Sequence, residues 1–240
     1  MGKDQTVQMV TPGQMKDIIS AVVQAIPTNM SFDTAQYWIG KKTNLGDEIR
    51  NIFSKLNPLA GFITEWQNFY RNVFGIKADF TNLRIPEKSQ GFDRLIIMAQ
   101  GITPQRIYDK CAELFPVWKW TDENLDKIVT SDRLAKNDAY AVWVRDRVEA
   151  DEELKNLSAN DLKRQNIVGI TLEERLVYEL KYFKEAGKHL DINNVTLCSG
   201  SHYSDGYVPI VHWHAYGKLH VNCYHPGNAD GSLRARQAVS

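Results

Sequence analysis

All six histidines of the chain, His189, His202, His212, His214, His220 and His225, lie in its last quarter, together with Cys198 and Cys223. Imidazole and thiolate are the ligands that zinc and related ions prefer, so this concentration raises metal binding first. Turn chemistry tests it. With Gly217 in the left-handed position of a three-residue loop, Ala215 to Gly217, the flanking strands pair His214 with Lys218, Trp213 with Leu219, His212 with His220 and Val211 with Val221. That register gathers Val211, Trp213, Leu219, Val221 and Cys223 on an apolar face, and His212, His214, His220 and Asn222 on a polar one. His212 and His220 then stand at cross-strand contact distance, close enough to share an ion. A structural zinc site usually adds a close thiolate pair, which is missing here. The plainer expectation is a solvent-facing sheet surface, with a metal held by His212 and His220 as the alternative.

A second constellation, Asp146, Arg147 and Glu149, follows the apolar run Tyr140 to Val144. If that run is an interior strand parallel to Leu95 to Ala99, its end lies on the edge where open α/β sheets bind ligands. The helix opened by Thr103-Pro104 would present its free amides nearby and favour an anion. Asp146 or Glu149 then suits a base or metal ligand, and Arg147 an anion holder, for a hydrolase or transferase. The competing reading is a solvated acidic stretch whose charges pair with one another. Ser199, Ser201, His202, Ser204 and Asp205 stand too close along one loop to form a triad, and no Gly-x-Ser-x-Gly elbow occurs. No Gly-x-Gly-x-x-Gly or phosphate-loop motif is present either, which removes the commonest nucleotide signatures and leaves any cofactor unknown.

The elements that must position these residues are legible in the apolar spacing. Thr11-Pro12-Gly13-Gln14 opens a helix that runs to about Ile26, with Met15, Ile18, Ile19, Val22, Val23 and Ile26 on one face read as core. Further helices follow from Ser31, around Leu45 to Leu56, and from Trp66 to Gly75. The charged, turn-rich interval Ile76 to Gly91 reads as a connector. Beyond it come two interior strands, near 94 to 99 and 139 to 145, and helices opened by Thr103, Ser158 and Thr171. The last fifty residues break into short extended segments at Ser204-Asp205-Gly206, Tyr216-Gly217 and Asp230-Gly231, as in an antiparallel meander. The expectation is an α+β fold. An amino-terminal helical bundle, residues 1–85, precedes an α+β region, 86–240, in which a mixed sheet has helices on one face and a carboxyl-terminal meander.

The run Val144-Arg145-Asp146-Arg147-Val148-Glu149-Ala150-Asp151-Glu152-Glu153-Leu154-Lys155-Asn156-Leu157-Ser158-Ala159-Asn160-Asp161-Leu162-Lys163 resembles a family of uncharacterised proteins predicted from genomes of uncultivated bacteria. So do Glu179-Leu180-Lys181-Tyr182-Phe183-Lys184-Glu185 and the ending Leu233-Arg234-Ala235-Arg236-Gln237-Ala238-Val239-Ser240. The resemblance covers roughly residue 80 onward. It implies a bacterial origin but no activity, ligand or functional residue.

Composition sets the outer limits. With 29 basic and 29 acidic residues the formal net charge is zero, and no whole-molecule field draws the chain to nucleic acid or an anionic membrane. Three scattered cysteines form no disulfide framework, and the opening Met1 to Gln14 has no apolar run behind basic residues. These features imply a soluble cytoplasmic protein. With no catalytic motif intact, the first expectation is a non-enzymatic binding or assembly protein, whose partner is a protein or a small anionic ligand. The hydrolase or transferase at Asp146 and Glu149, and the metal site at His212 and His220, are the alternatives.

Overall fold

The computed structural model describes residues 10–54 and 59–240, and the chain divides into two compact units between Thr64 and Glu65. In the first unit, helix α1 spans Pro12–Gln24. Its opening is held by a capping box: the Thr11 hydroxyl accepts the Gln14 N–H, and the Gln14 carboxamide accepts the Thr11 N–H at 2.8 Å. Helices α2 (Phe32–Gly40, capped by Ser31) and α3 (Lys42–Ser54) follow. The apolar face expected to be core is not: among the described residues none of α1 or α2 is buried, and Ile19 and Val23 are 57% and 61% exposed. Periodicity specified an amphipathic helix but could not say what covers it.

Helix α4 (Ala60–Phe74) crosses the division, and its second half belongs to the larger unit. There Trp66, Phe69, Tyr70, Val73 and Phe74 are buried. The Tyr70 hydroxyl donates to the Ile97 carbonyl at 2.8 Å and accepts the Ala99 N–H at 3.1 Å. The interval read as a connector also packs inward, burying Ala78, Phe80 and Ile85, so the division falls some twenty residues before the expected one.

The larger unit is α+β. In chain order it runs β1 (Arg94–Met98), α5 (Pro104–Leu114), β2 (Val117–Lys119), α6 (Leu125–Ile128), β3 (Val129–Ser131) and β4 (Tyr140–Val144). It continues with α7 (Ala159–Arg164), α8 (Leu172–Ala186), β5 (Val195–Leu197), β6 (Ser201–Tyr203), β7 (Val208–His214), β8 (Lys218–Tyr224) and β9 (Leu233–Ala235). A mixed five-stranded sheet has the order β2-β8-β7-β5-β9, with β2 parallel to β8 and β5 parallel to β9. Strands β1 and β4 form a separate antiparallel pair, as do β3 and β6. This corrects the expected parallel interior pair. The chain between β1 and β4 is not a single crossover, because β2 leaves to join the large sheet and β3 pairs with β6. The β5–β7 and β7–β8 pairings are antiparallel, as in the expected meander; β9 instead lies parallel to β5.

Helix α8 is the central element. It begins with the Thr171–Glu174 capping box and ends at Gly187, whose φ of 63° is the left-handed conformation a Cβ disfavours. Every residue from Leu172 to Lys181 is buried, including five charged ones, and each is compensated. Arg133 forks onto Glu174, with two contacts of 2.7 Å; Arg175 reaches Glu179 and Asp191 at 2.8 Å; Lys181 meets Glu65 and Glu185. The opposite face of the large sheet carries a smaller core of Leu162, Leu197, Ile210, Leu233 and Ala235.

Candidate functional site

The strand end and the amino end of α5 do not meet as expected. Antiparallel pairing places Val144 beside Arg94, at the start of β1, whereas α5 follows the other end of β1, a five-residue strand away or about 17 Å. Each charged group there is committed to structure. Glu149 accepts the N–H groups of Ile192, Asn193 and Asn194 and the carboxamides of Asn193 and Asn194, closing the turn before β5. Arg147 forks onto Glu153 at 2.6 and 2.9 Å, and that pairing draws the Glu153 carboxyl down to about 2. Asp146 receives the Tyr178 hydroxyl at 3.3 Å. A base whose oxygens are saturated by backbone amides has little left for a substrate.

Beneath this turn lies a buried cross-link that the sequence did not suggest. Asp191, at φ 54°, accepts from Arg175, Arg236, Thr196 and the Ala150 amide. Burial opposes its ionisation, yet Arg236 and Arg175 hold its carboxyl below the usual range. It ties α8 to Arg236, just beyond β9.

Ser199, Ser201 and His202, which looked too crowded to converge, line one cleft of ≈ 540 Å³ with Asp132, Asn160 and Lys163. Two glycines make that wall: a Cβ on Gly169 would stand 1.9 Å from Ser199 Oγ, and one on Gly200 would stand 2.7 Å from the Gly169 carbonyl. Ser201 Oγ accepts the Leu172 N–H, so its own proton turns to Ser131 Oγ at 2.7 Å, and Ser131 donates to Glu173. Burial raises the Glu173 carboxyl to about 7. Ser199 Oγ is buried without a hydrogen-bond partner among the described residues. Neither serine is therefore paired with His202, and the cleft holds no nucleophile–imidazole couple.

The hairpin histidines stand in the expected register, with His212 opposite His220, His214 opposite Lys218, and Gly217 at φ 74°. Cys223 pairs with Pro209 and takes the other face. What the pairwise reading missed is the third member. Residues two apart share a strand face, so His214 joins the pair, and one ring nitrogen from each of His212, His214 and His220 lies within 4.8 Å of the others. The signal was the His-x-His spacing. His214 and His220 stack at 4.4 Å, and Trp118, brought alongside by β2, sits 4.9 Å from His220. All three imidazoles are half-buried. Burial first, then the neighbouring imidazoles, lowers the His212 pKa to about 4; burial, His214 and Lys218 lower that of His220. His212 Nδ1 is buried without a hydrogen-bond partner among the described residues.

The first unit offers a surface of another kind. Val10, Met15, Ile18, Ile19, Val23 and Phe53 line an apolar groove of ≈ 690 Å³ between α1 and α3. Ile26, Phe32, Ile39 and Ile52 add further exposed apolar side chains in the same unit. Comparison with known proteins adds nothing to this geometry: no family model matches the chain, and neither a curated protein nor a solved structure matches it.

Proposed function

We propose that this chain is a non-enzymatic, cytoplasmic assembly protein. Its helical unit docks the helical unit of another copy, and its α+β unit serves as a rigid platform. The observation that carries this reading is α1 itself, a capped helix with five apolar residues, Met15, Ile18, Ile19, Val22 and Val23, at helical spacing and none of them buried. Burying one such side chain is worth about 1.5–3 kcal/mol, and contiguous exposed apolar surface of this kind marks an interaction site. Charge favours protein over nucleic acid or anionic membrane, since between residues 10 and 54 Lys16, Lys41, Lys42 and Arg50 are balanced by Asp17, Asp33, Asp47 and Glu48. An apolar helix beside an apolar groove is also self-complementary, as a two-fold interface requires. Against catalysis stand the committed carboxylates of the strand end and the cleft serines, neither of which is hydrogen-bonded to His202.

A cross-linking experiment tests the reading. Val23→Cys treated with a short bis-maleimide should give a covalent dimer, while Ile192→Cys, an exposed apolar position of the α+β unit, should not. Equal cross-linking from both positions would defeat the proposal.

A further inference from the structure

We infer that His212, His214 and His220 form a binding site for one divalent transition-metal ion of the zinc, copper or nickel class. The inference is independent of the helical face. Three neutral nitrogen donors without carboxylate or carbonyl oxygen suit borderline ions and disfavour magnesium and calcium, which demand oxygen ligands. Preorganisation comes from the sheet. Two ligands share one face of β7, the third faces them from β8, and seven consecutive pairs fix that register.

The geometry is close to what an ion needs. Metal–imidazole bonds of about 2.0–2.1 Å in a tetrahedron put ligand nitrogens about 3.3 Å apart. The nitrogens already lie within 4.8 Å of one another, so they must close by at most roughly 1.5 Å. An ion at His212 Nδ1 would supply the partner that this buried atom lacks among the described residues. Three protein ligands leave the fourth position open to water or an exogenous group, as in catalytic rather than structural zinc sites.

His214 gives the site a signature. Its Nδ1 accepts the Tyr216 N–H at 3.2 Å, which places the proton of the neutral ring on Nε2. Ligation through Nδ1 takes that atom from Tyr216. Ligation through Nε2 moves the proton to Nδ1, which then faces an N–H it cannot accept. By either route the ion breaks this hydrogen bond and rearranges the Ala215–Gly217 turn, whose Tyr216 ring is 85% exposed and lies 4.7 Å from His214.

The test is calorimetric titration of Zn²⁺ into the full chain, purified without a histidine tag, with amide NMR in parallel. The expected result is one equivalent bound, a large shift of the Tyr216 amide, and affinity reduced at least about tenfold in each of His212→Gln, His214→Gln and His220→Gln. Circular dichroism verifies that each variant is folded; His214→Gln, at the hairpin end, serves if His212→Gln is not. No saturable binding, or one equivalent bound equally well by the folded variants, would overturn the site. Zinc binding with an unmoved Tyr216 amide would overturn the role of His214.

Discussion

Replacing Asp191 with asparagine removes one negative charge from between two buried guanidiniums while keeping the side-chain shape. Asparagine also tolerates the left-handed backbone at this position, so the charge is isolated from any strain. Wild-type Asp191 meets Arg175 at 2.8 Å and Arg236 at 2.7 Å, with all three side chains at 0–1% exposure. Breaking a buried ion pair from one side typically costs about 3–5 kcal/mol, because the surviving charge stays buried. Here the loss should sit in that range and not double it. Arg175 keeps Glu179, and Arg236 keeps the carbonyls of Arg147 and Val148. For a chain of this size each kcal/mol moves the midpoint by about 2–4 °C, so Asp191→Asn should lower Tm by about 6–20 °C. Asp191→Ala should fall further, since alanine at positive φ adds strain. Thermal and urea unfolding followed by circular dichroism measure both, with Glu153→Ala as control. That exposed partner of Arg147 should cost at most about 1 kcal/mol. If Asp191→Asn were as mild as the control, the buried cross-link would not hold the unit together as described.

Two further outcomes follow from the same packing. Tyr70→Phe should cost about 1–3 kcal/mol in urea unfolding, because the Ile97 carbonyl and Ala99 amide are left buried with one partner fewer. Glu173, raised to about 7 by burial, holds a proton in the folded state that the unfolded chain releases near 4.5, so its contribution to stability falls as pH rises from 4.5 through 7. Glu173→Gln should therefore gain stability relative to wild type between pH 5 and pH 8; a constant difference across that range would refute the assignment.

The parts of this fold written in local pattern were legible. Thr11-Pro12-Gly13-Gln14, Ser158 and Thr171-Leu172-Glu173-Glu174 open helices because their side chains reach amides three residues on. The hairpin register followed from Gly217 and the alternation around it. The direction of β1 against β4 was not legible, because a run buried on both faces has no period to fix a partner and β2 and β3 depart to other sheets. Asp191 reads locally as a turn residue, and its arginines lie 16 residues before and 45 after it. Glu149 looked catalytic for the reason it is structural: a carboxylate beside a strand end attracts amides, and here the chain's own turn supplies them. Alternation already placed His214 on the face of His212 and His220, but it was not counted as a third ligand.

The central claim, that the apolar face of α1 is an interface between copies of this chain, is tested most directly by the molar mass in solution. Light scattering across a concentration series should rise from 27.4 kDa toward twice that value, about 55 kDa. The double variant Ile19→Glu, Val23→Glu should stay at the monomer mass with an unchanged Tm, since neither side chain is buried in the single chain. A wild-type protein that remains at 27.4 kDa throughout the series, or a double variant that associates as the wild type does, would contradict it.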